Sequence, residues 1–265
     1  MEKFVRAKVR GRCLACTAYG CVSGLGAKVW AMSTAELPVD LRPLDSATEP
    51  AIVDLPIAGA WLFAPRVFGD ARGSFHEVFR AAQFTEHLGY PFDVAQANVS
   101  RSSRDVVRGI HLAEVPPGQA KFVSCLAGEV VDVLVDLRVG SPTFGKHIKI
   151  TLSEENNYAM HVPIGVGHGF VALSETAVLN YLVTEAYNPD REFGVDPFDP
   201  ELGIDWGVDR ADAVLSDKDA AAPALAEVHA RLADWQEARG WEQQLRREWS
   251  EALNFADSYG EHGEG

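Results

Sequence analysis

Three basic side chains, Arg108, His111 and Lys121, stand within "VVRGIHLAEVPPGQAKFVSC", residues 106–125, two hydrophobic runs joined by a proline-glycine turn. A histidine is suited to moving a proton near neutral pH. Arginine and lysine are suited to holding an anion or a developing negative charge. On a strand His111 shares a face with Val107 and Gly109, and strict alternation puts Arg108 on the other face. A bulge at Gly109 would bring the two side chains together, one of the reasons glycine occurs inside strands. Taken alone, His111 reads equally as a satisfied strand histidine and Lys121 as a solvated cation. In "VLNYLVTE", Leu179, Tyr181 and Val183 share a face, so the Tyr181 hydroxyl projects among aliphatic groups and needs a partner. In "LSDKDAAAP", Ser216 or Asp219 precedes a helix-forming run, which makes helix capping the plain reading of Asp219.

The elements that must position these groups are mostly strands. From residue 50 to about 209, short β-branched and aromatic runs are punctuated by glycine and proline, the texture of a sandwich or barrel. In "EVVDVLVDLRVGSPTFG" Val131, Val133, Val135 and Leu137 share one face and Asp132, Leu134, Asp136 and Arg138 the other, a period of two. "KHIKITLS" repeats the pattern, one helix is expected at "AAQFTEHLG", and strands resume at "DVAQANVS". After residue 215 the chain turns helical, with Leu225, Val228, Leu232 and Trp235 at helix spacing and Gly240 as a division between two helices. The closing "ADSYGEHGEG" has little to bury and is expected to fray.

The chain has 265 residues, a net charge of −14 and 47% hydrophobic residues, enough for a sizeable core. That acidity opposes general binding to nucleic acid or to an anionic membrane, and no apolar run is long enough to span a bilayer. Of the four cysteines, Cys13, Cys16 and Cys21 crowd one N-terminal segment and Cys125 stands alone, which argues against a disulfide framework and for a reducing compartment. The segment is also unlike the rest in being basic and glycine-containing. Met32 opens "MSTAELPVDLRPLD", which reads as an ordinary cytosolic start, so no function is assigned to residues 1–31. The eight histidines are scattered, and "RGIHLAE" lacks the second histidine two residues away that metal-binding barrels use, so no metal is expected. Phosphate-binding loops, the nucleophile elbow and the dinucleotide fingerprint are missing, so no nucleotide cofactor of the usual kinds is expected.

The ordered series "VFGDARGSFHEVF", "QANVS", "VVRGIHL", "QAKFVSCLAGEVVDVLVDLRVGSPTFG", "GVGHGFVALSE", "NYLVTEAYNP" and "LSDKDAAAP" closely resembles the dTDP-4-dehydrorhamnose 3,5-epimerase family, from about Val53 to about Val228. The resemblance implies a mainly β protein, a cupin-type jelly-roll barrel with a C-terminal α-helical extension. It further implies a homodimer in the cytoplasm, no cofactor, no metal, and a dTDP-linked 4-keto-6-deoxyhexose as substrate. By the same resemblance His111 is the general base, Asp219 the carboxylate that orients it, Tyr181 the acid on the opposite face of the sugar, and Lys121 the cation near the carbon 4 oxygen. Arg72, Glu77, Gln96, Asn98, Arg108 and His168 match positions that hold the nucleotide, diphosphate or sugar. Phe68, Phe75 and Tyr187 match aromatic positions of the pocket, some of them supplied across the dimer. The expected organisation is an N-terminal extension, poorly ordered, over residues 1–48, a jelly-roll domain over 49–214, and a helical extension packed on the barrel over 215–265. Inversion at carbons 3 and 5 is the expected reaction. A single-carbon epimerase is the nearest alternative, and a jelly roll that binds a sugar nucleotide without catalysis is a third reading.

Overall fold

Two antiparallel sheets face each other in the computed structural model, which describes residues 36–39, 41 and 49–260. The described strands are β1 (Ala51–Asp54), β2 (Trp61–Ala64), β3 (Val67–Asp70), β4 (Gly73–His76), β5 (Gln96–Ser102), β6 (Val107–Ala113), β7 (Lys121–Ala127), β8 (Glu129–Asp136), β9 (His147–Ser153), β10 (Ala159–Val162), β11 (Val166–Ala172), β12 (Ala177–Val183) and β13 (Glu192–Gly194). One sheet runs β1-β2-β10-β7-β12-β5, the other β13-β6-β11-β8-β9, and β3 and β4 form a hairpin paired only with itself. Many sequence neighbours therefore lie in different sheets: β6 and β7 belong to opposite sheets although they adjoin in the chain. Cys13, Cys16, Cys21, Met32 and residues 261–265 lie outside the described residues.

The period of two expected over 130–138 is present, and both faces are buried. Val130 and Leu134 point into the cluster between the sheets with Val123, Phe170 and Leu179. Val133, Val135 and Leu137 point outward and are covered by Leu225, Val228, Leu232 and Trp206 from the C-terminal part of the chain. Each such fully buried side chain contributes roughly 1.5–3 kcal/mol. Asp132, Asp136 and Arg138 are buried as well. Arg138 donates to Asp136 from Nε (2.8 Å) and from its second terminal nitrogen (3.0 Å), while Ser141 and Thr143 hydroxyls donate to the same carboxylate at 2.5 and 2.6 Å. Those bonds outweigh desolvation and hold the Asp136 carboxyl below the usual range.

The helix α1 (Ala81–Leu88) forms at the expected place and buries Phe84 and Leu88 against Trp61, Phe63 and Phe122. The C-terminal reading needs two corrections. The helical spacing from Leu225 to Trp235 is interrupted: α2 (Asp217–Ala220) and α3 (Leu225–Val228) are short, and the chain is extended at Leu232. The cause is a competing pairing, since Val139 N donates to Ala233 O and Trp235 N to Val139 O, both at 2.8 Å. Asp234 then caps α4 (Trp235–Gly260), its Oδ1 accepting from Gln236 N at 2.7 Å. Gly240 does not divide that helix. A glycine costs about 1 kcal/mol inside a helix, less than the packing of Trp241, Leu245 and Trp249 against the aromatic cluster supplies.

The few described residues of the expected N-terminal extension, 36–39 and 41, make defined contacts. Leu37 N donates to His147 O at 2.8 Å, Glu36 pairs with Lys149 at 2.9 Å, and Leu37, Val39 and Leu41 pack on the core between the sheets. Their alternation is a strand-like apolar face, and the edge of β9 accepts it.

Candidate active site

Gly109 makes the site possible. Along β6 and β11, His111 lies opposite His168 while Arg108 lies opposite Phe170, so three steps on one strand match two on the other. The extra residue is the bulge, and it turns Arg108 and His111 to the same side. Gly109 takes φ +132°, and a Cβ there would stand 2.6 Å from the Gly169 Cα and 3.0 Å from the His168 carbonyl oxygen. No side chain fits, which is why the two strands meet at a pair of glycines.

Arg108 and His111 line a cavity of about 230 Å³ with Lys121, Asn98, His168, Tyr181 and Tyr187. The His111 Nε2–H donates to Asp219 Oδ1 at 2.6 Å, across 108 residues of chain. That bond fixes the tautomer and leaves Nδ1 with the lone pair. The second Asp219 oxygen accepts from the Ser216 hydroxyl at 2.9 Å, and Ser216 Oγ in turn accepts from Asp219 N at 3.1 Å. Ser216 is thus the cap of α2, and Asp219, at 5% side-chain exposure, is held as the partner of the histidine. Burial pushes the His111 pKa below its ordinary value even though Asp219 opposes the shift, so the ring is neutral and able to accept a proton at neutral pH. Burial also raises Asp219, but the bonds from His111 and Ser216 prevail and keep its carboxyl ionised below the usual range.

Opposite the histidine, the Tyr181 hydroxyl lies 3.0 Å from Ser100 Oγ. Burial beside Leu179 and Val183 raises the phenol well above its ordinary pKa, so it remains a donor. Lys121, at 7% exposure, donates to the His111 carbonyl at 3.4 Å, and burial lowers its pKa to about 8. His168 Nε2–H donates to both oxygens of Asp132, at 2.9 and 3.0 Å. Arg108 Nε donates to Ser102 Oγ at 3.1 Å.

Gln96 stands behind the cavity wall: it donates to Asn98 Oδ1 at 2.6 Å and accepts from Tyr187 N at 3.0 Å. Phe68, Arg72, Phe75 and Glu77 are not brought to the cavity of their own chain. Phe68 and Phe75 pair across the β3–β4 hairpin at 49% and 65% exposure. Arg72 pairs with Asp70, and Glu77 with Arg80. The hairpin joins neither sheet, and none of its residues lines the cavity. Ser100, Gln119 and Glu192 also line the site without being foreseen. Asp132 had a signal, a carboxylate at an inward position of an otherwise valine-rich strand; Glu192, on the three-residue β13, stands in an unremarkable polar stretch of sequence and had none. Among the described residues no cluster of three His, Cys, Asp or Glu side chains is placed to hold a metal, and no helix is long and apolar enough to cross a membrane.

Comparison with known proteins accords with this geometry. Residues 54–227 match the family described as dTDP-4-dehydrorhamnose 3,5-epimerase. A dTDP-4-dehydrorhamnose 3,5-epimerase of Mycolicibacterium smegmatis is 45% identical over 196 residues, 73% of this chain and 96% of that one. A dTDP-4-dehydro-6-deoxyglucose 3-epimerase of a Streptomyces species is 44% identical over 190 residues, 72% of this chain and 96% of its own. Among solved structures, the Legionella pneumophila dTDP-6-deoxy-D-glucose 3,5-epimerase in complex with dTDP-4-keto-L-rhamnose superposes with a TM-score of 0.67 at 41% identity, covering 71% of this chain and all (100%) of that one.

Proposed function

The chain belongs to the dTDP-4-dehydrorhamnose 3,5-epimerase family, and on that premise we propose that it inverts carbons 3 and 5 of dTDP-4-dehydro-6-deoxyglucose, giving dTDP-4-dehydrorhamnose. It is an isomerase on the cupin-type jelly roll. The observation that carries the reading is one cavity holding a neutral histidine tied to Asp219, a protonated tyrosine, and the Lys121 ammonium.

A proton on the carbon next to a ketone is weakly acidic, and its removal gives an enolate whose charge gathers on the carbon 4 oxygen. His111 accepts that proton, and Asp219 stabilises the imidazolium that results. Lys121 stabilises the enolate oxygen in a site shielded from water, where a charge counts for more. Tyr181 returns a proton to the other face, and the configuration is inverted. The reaction exchanges protons alone, so the electron count of the sugar is unchanged. Arg108 holds the diphosphate, with His168, Asn98 and Tyr187 placing the sugar and the base.

The hairpin fits a homodimer. Phe68, Arg72, Phe75 and Glu77 point away from their own site, and an exposed aromatic pair beside an arginine suits a second copy's substrate. In a symmetric pair each hairpin would complete the other's cavity. A cytoplasmic location is in keeping with this substrate class.

Inversion at carbon 3 alone is the second reading, favoured by the Streptomyces relative named a 3-epimerase. The test is to incubate the protein with dTDP-4-dehydro-6-deoxyglucose in deuterated water. Label and inversion at carbons 3 and 5 are expected. Label at one carbon would favour the second reading, and none at all would leave a binding module.

A further inference from the structure

Lys121 is poorly provided for. An ammonium has three protons to donate, yet this one is 7% exposed and its protein acceptor, the His111 carbonyl, is a long 3.4 Å away. A buried cation in that condition tends to lose its proton unless a counter-charge faces it. Three charged groups act on it from the neighbouring elements: Glu192 on β13, Asp132 on β8 and Lys218 on α2, in addition to His111 on β6. Asp132 is engaged through both oxygens by His168. Lys218 repels. Glu192 makes no salt bridge among the described residues.

Glu192 is nonetheless held in place. Its Oε1 accepts from Gln119 Nε2 at 3.3 Å and from Asn188 N at 3.4 Å, and Gln119 is fixed in turn by donating to Glu185 O at 2.9 Å. Gln119 and Glu192 together form the partition between the active-site cavity and a neighbouring cleft of about 100 Å³. The cleft side admits water to the carboxylate, which lowers the cost of keeping it ionised. The strand that carries Glu192 pairs directly with β6, Glu192 opposite Ala113 and Gly194 opposite His111, so Glu192 lies two residues along β13 from the position opposite the base.

We propose that Glu192, clamped by Gln119, is the positioning residue for Lys121, the counter-charge that keeps the buried ammonium protonated and directed at the carbon 4 oxygen. The proposal rests on the reading of Lys121 as the cation that stabilises the enolate. Glu192 touches no reacting atom and acts through the lysine. Burial leaves Lys121 at about 8, with Glu192 the strongest of the charges that oppose the fall. An ammonium so close to neutrality has little margin.

The test is the pH dependence of kcat in Glu192→Gln, which removes the charge and keeps the shape. In the wild type kcat declines on the alkaline side as Lys121 loses its proton near pH 8. In Glu192→Gln that decline is expected to move to lower pH by about one unit, so kcat at pH 8 falls about fivefold, approaching tenfold at higher pH, while KM and the rate at pH 6 change far less. Glu192→Asp restores part of the shift, and Gln119→Leu, which frees the carboxylate, moves the limb the same way by less. An alkaline limb that stays in place in Glu192→Gln overturns the proposal, even if kcat is uniformly lower. Should that variant fail to fold, an unmoved limb in Gln119→Leu overturns it instead. A wild type that turns over no dTDP-4-keto sugar defeats the proposed function; an active wild type with unmoved variants defeats the role of Glu192 alone.

Discussion

Among the described residues the Tyr181 hydroxyl has a hydrogen-bond partner in Ser100, and the side chain shares its strand face with Leu179 and Val183. Water is therefore a poor substitute for its hydroxyl. Replacing it with phenylalanine leaves His111 and Lys121 able to form and hold the enolate, so proton removal continues while delivery to the opposite face stops. Tyr181→Phe is expected to exchange deuterium into the substrate faster than it inverts either centre, with inversion slowed about a hundred-fold or more, the usual cost of losing a general acid. Nuclear magnetic resonance on one sample reads exchange and configuration together; inversion at the wild-type rate would mean that the acid is another group. At this scale the sequence was informative where a residue type has few other uses in its setting. A tyrosine on an apolar strand face and a histidine beside a glycine were visible as oddities. Their expected roles came from the family resemblance and not from the residues themselves, because a role depends on what lies opposite, and Asp219 is joined to His111 only by the fold. Ser100 and Glu192 gave no sign, since a serine on a strand and a glutamate in a short polar stretch are commonplace.

Elements turn these residues toward one another, and the bulge in β6 is the decisive one. A Cβ on Gly109 would collide with backbone atoms of β11, which cannot withdraw as a flexible side chain would. Gly109→Ala is expected to lose more than 2 kcal/mol of stability, from overlap and from a strained φ, and to lose activity even below its melting temperature as Arg108 and His111 turn apart. Gly240→Ala is the converse case: the position is open and helical, so the substitution is expected to add about 0.5–1 kcal/mol without changing kcat. Thermal unfolding and activity assays on the two variants check both. The bulge was legible because glycine inside a strand pattern has few explanations. The spacing of Leu225, Val228, Leu232 and Trp235 misled because helix periodicity is local information. The pairing of Val139 with Ala233 and Trp235 comes from a bridge residue just beyond β8, some ninety residues earlier, and no window of sequence contains both partners.

On the scale of the whole molecule, two copies are expected to share the work. A chain carrying His111→Asn keeps its hairpin and loses its base; one carrying Arg72→Ala with Phe75→Ala keeps its base and loses its hairpin. Each is expected to be nearly inactive alone. Mixed so that subunits exchange, they are expected to recover about a quarter of wild-type activity, since half the dimers are mixed and each has one intact site. A mixture as inactive as its parts would place the hairpin's work within its own chain. The sheet architecture was largely open to reading in the strand periodicity, whereas the expectation of a hairpin that serves a second copy came from the family resemblance alone, because in sequence such a surface resembles any exposed loop. The bond between His111 and Asp219 has a further consequence, in time. A ribosome adding about 5–20 residues per second needs roughly 5–20 seconds to travel the 108 residues between them. Throughout that interval the nascent barrel carries a base with no partner, its outer face uncovered by Leu225 and Val228. On the proposed roles, competence to catalyse arrives only once Asp219 has been made, and a product terminated before it is expected to be a barrel without a working base.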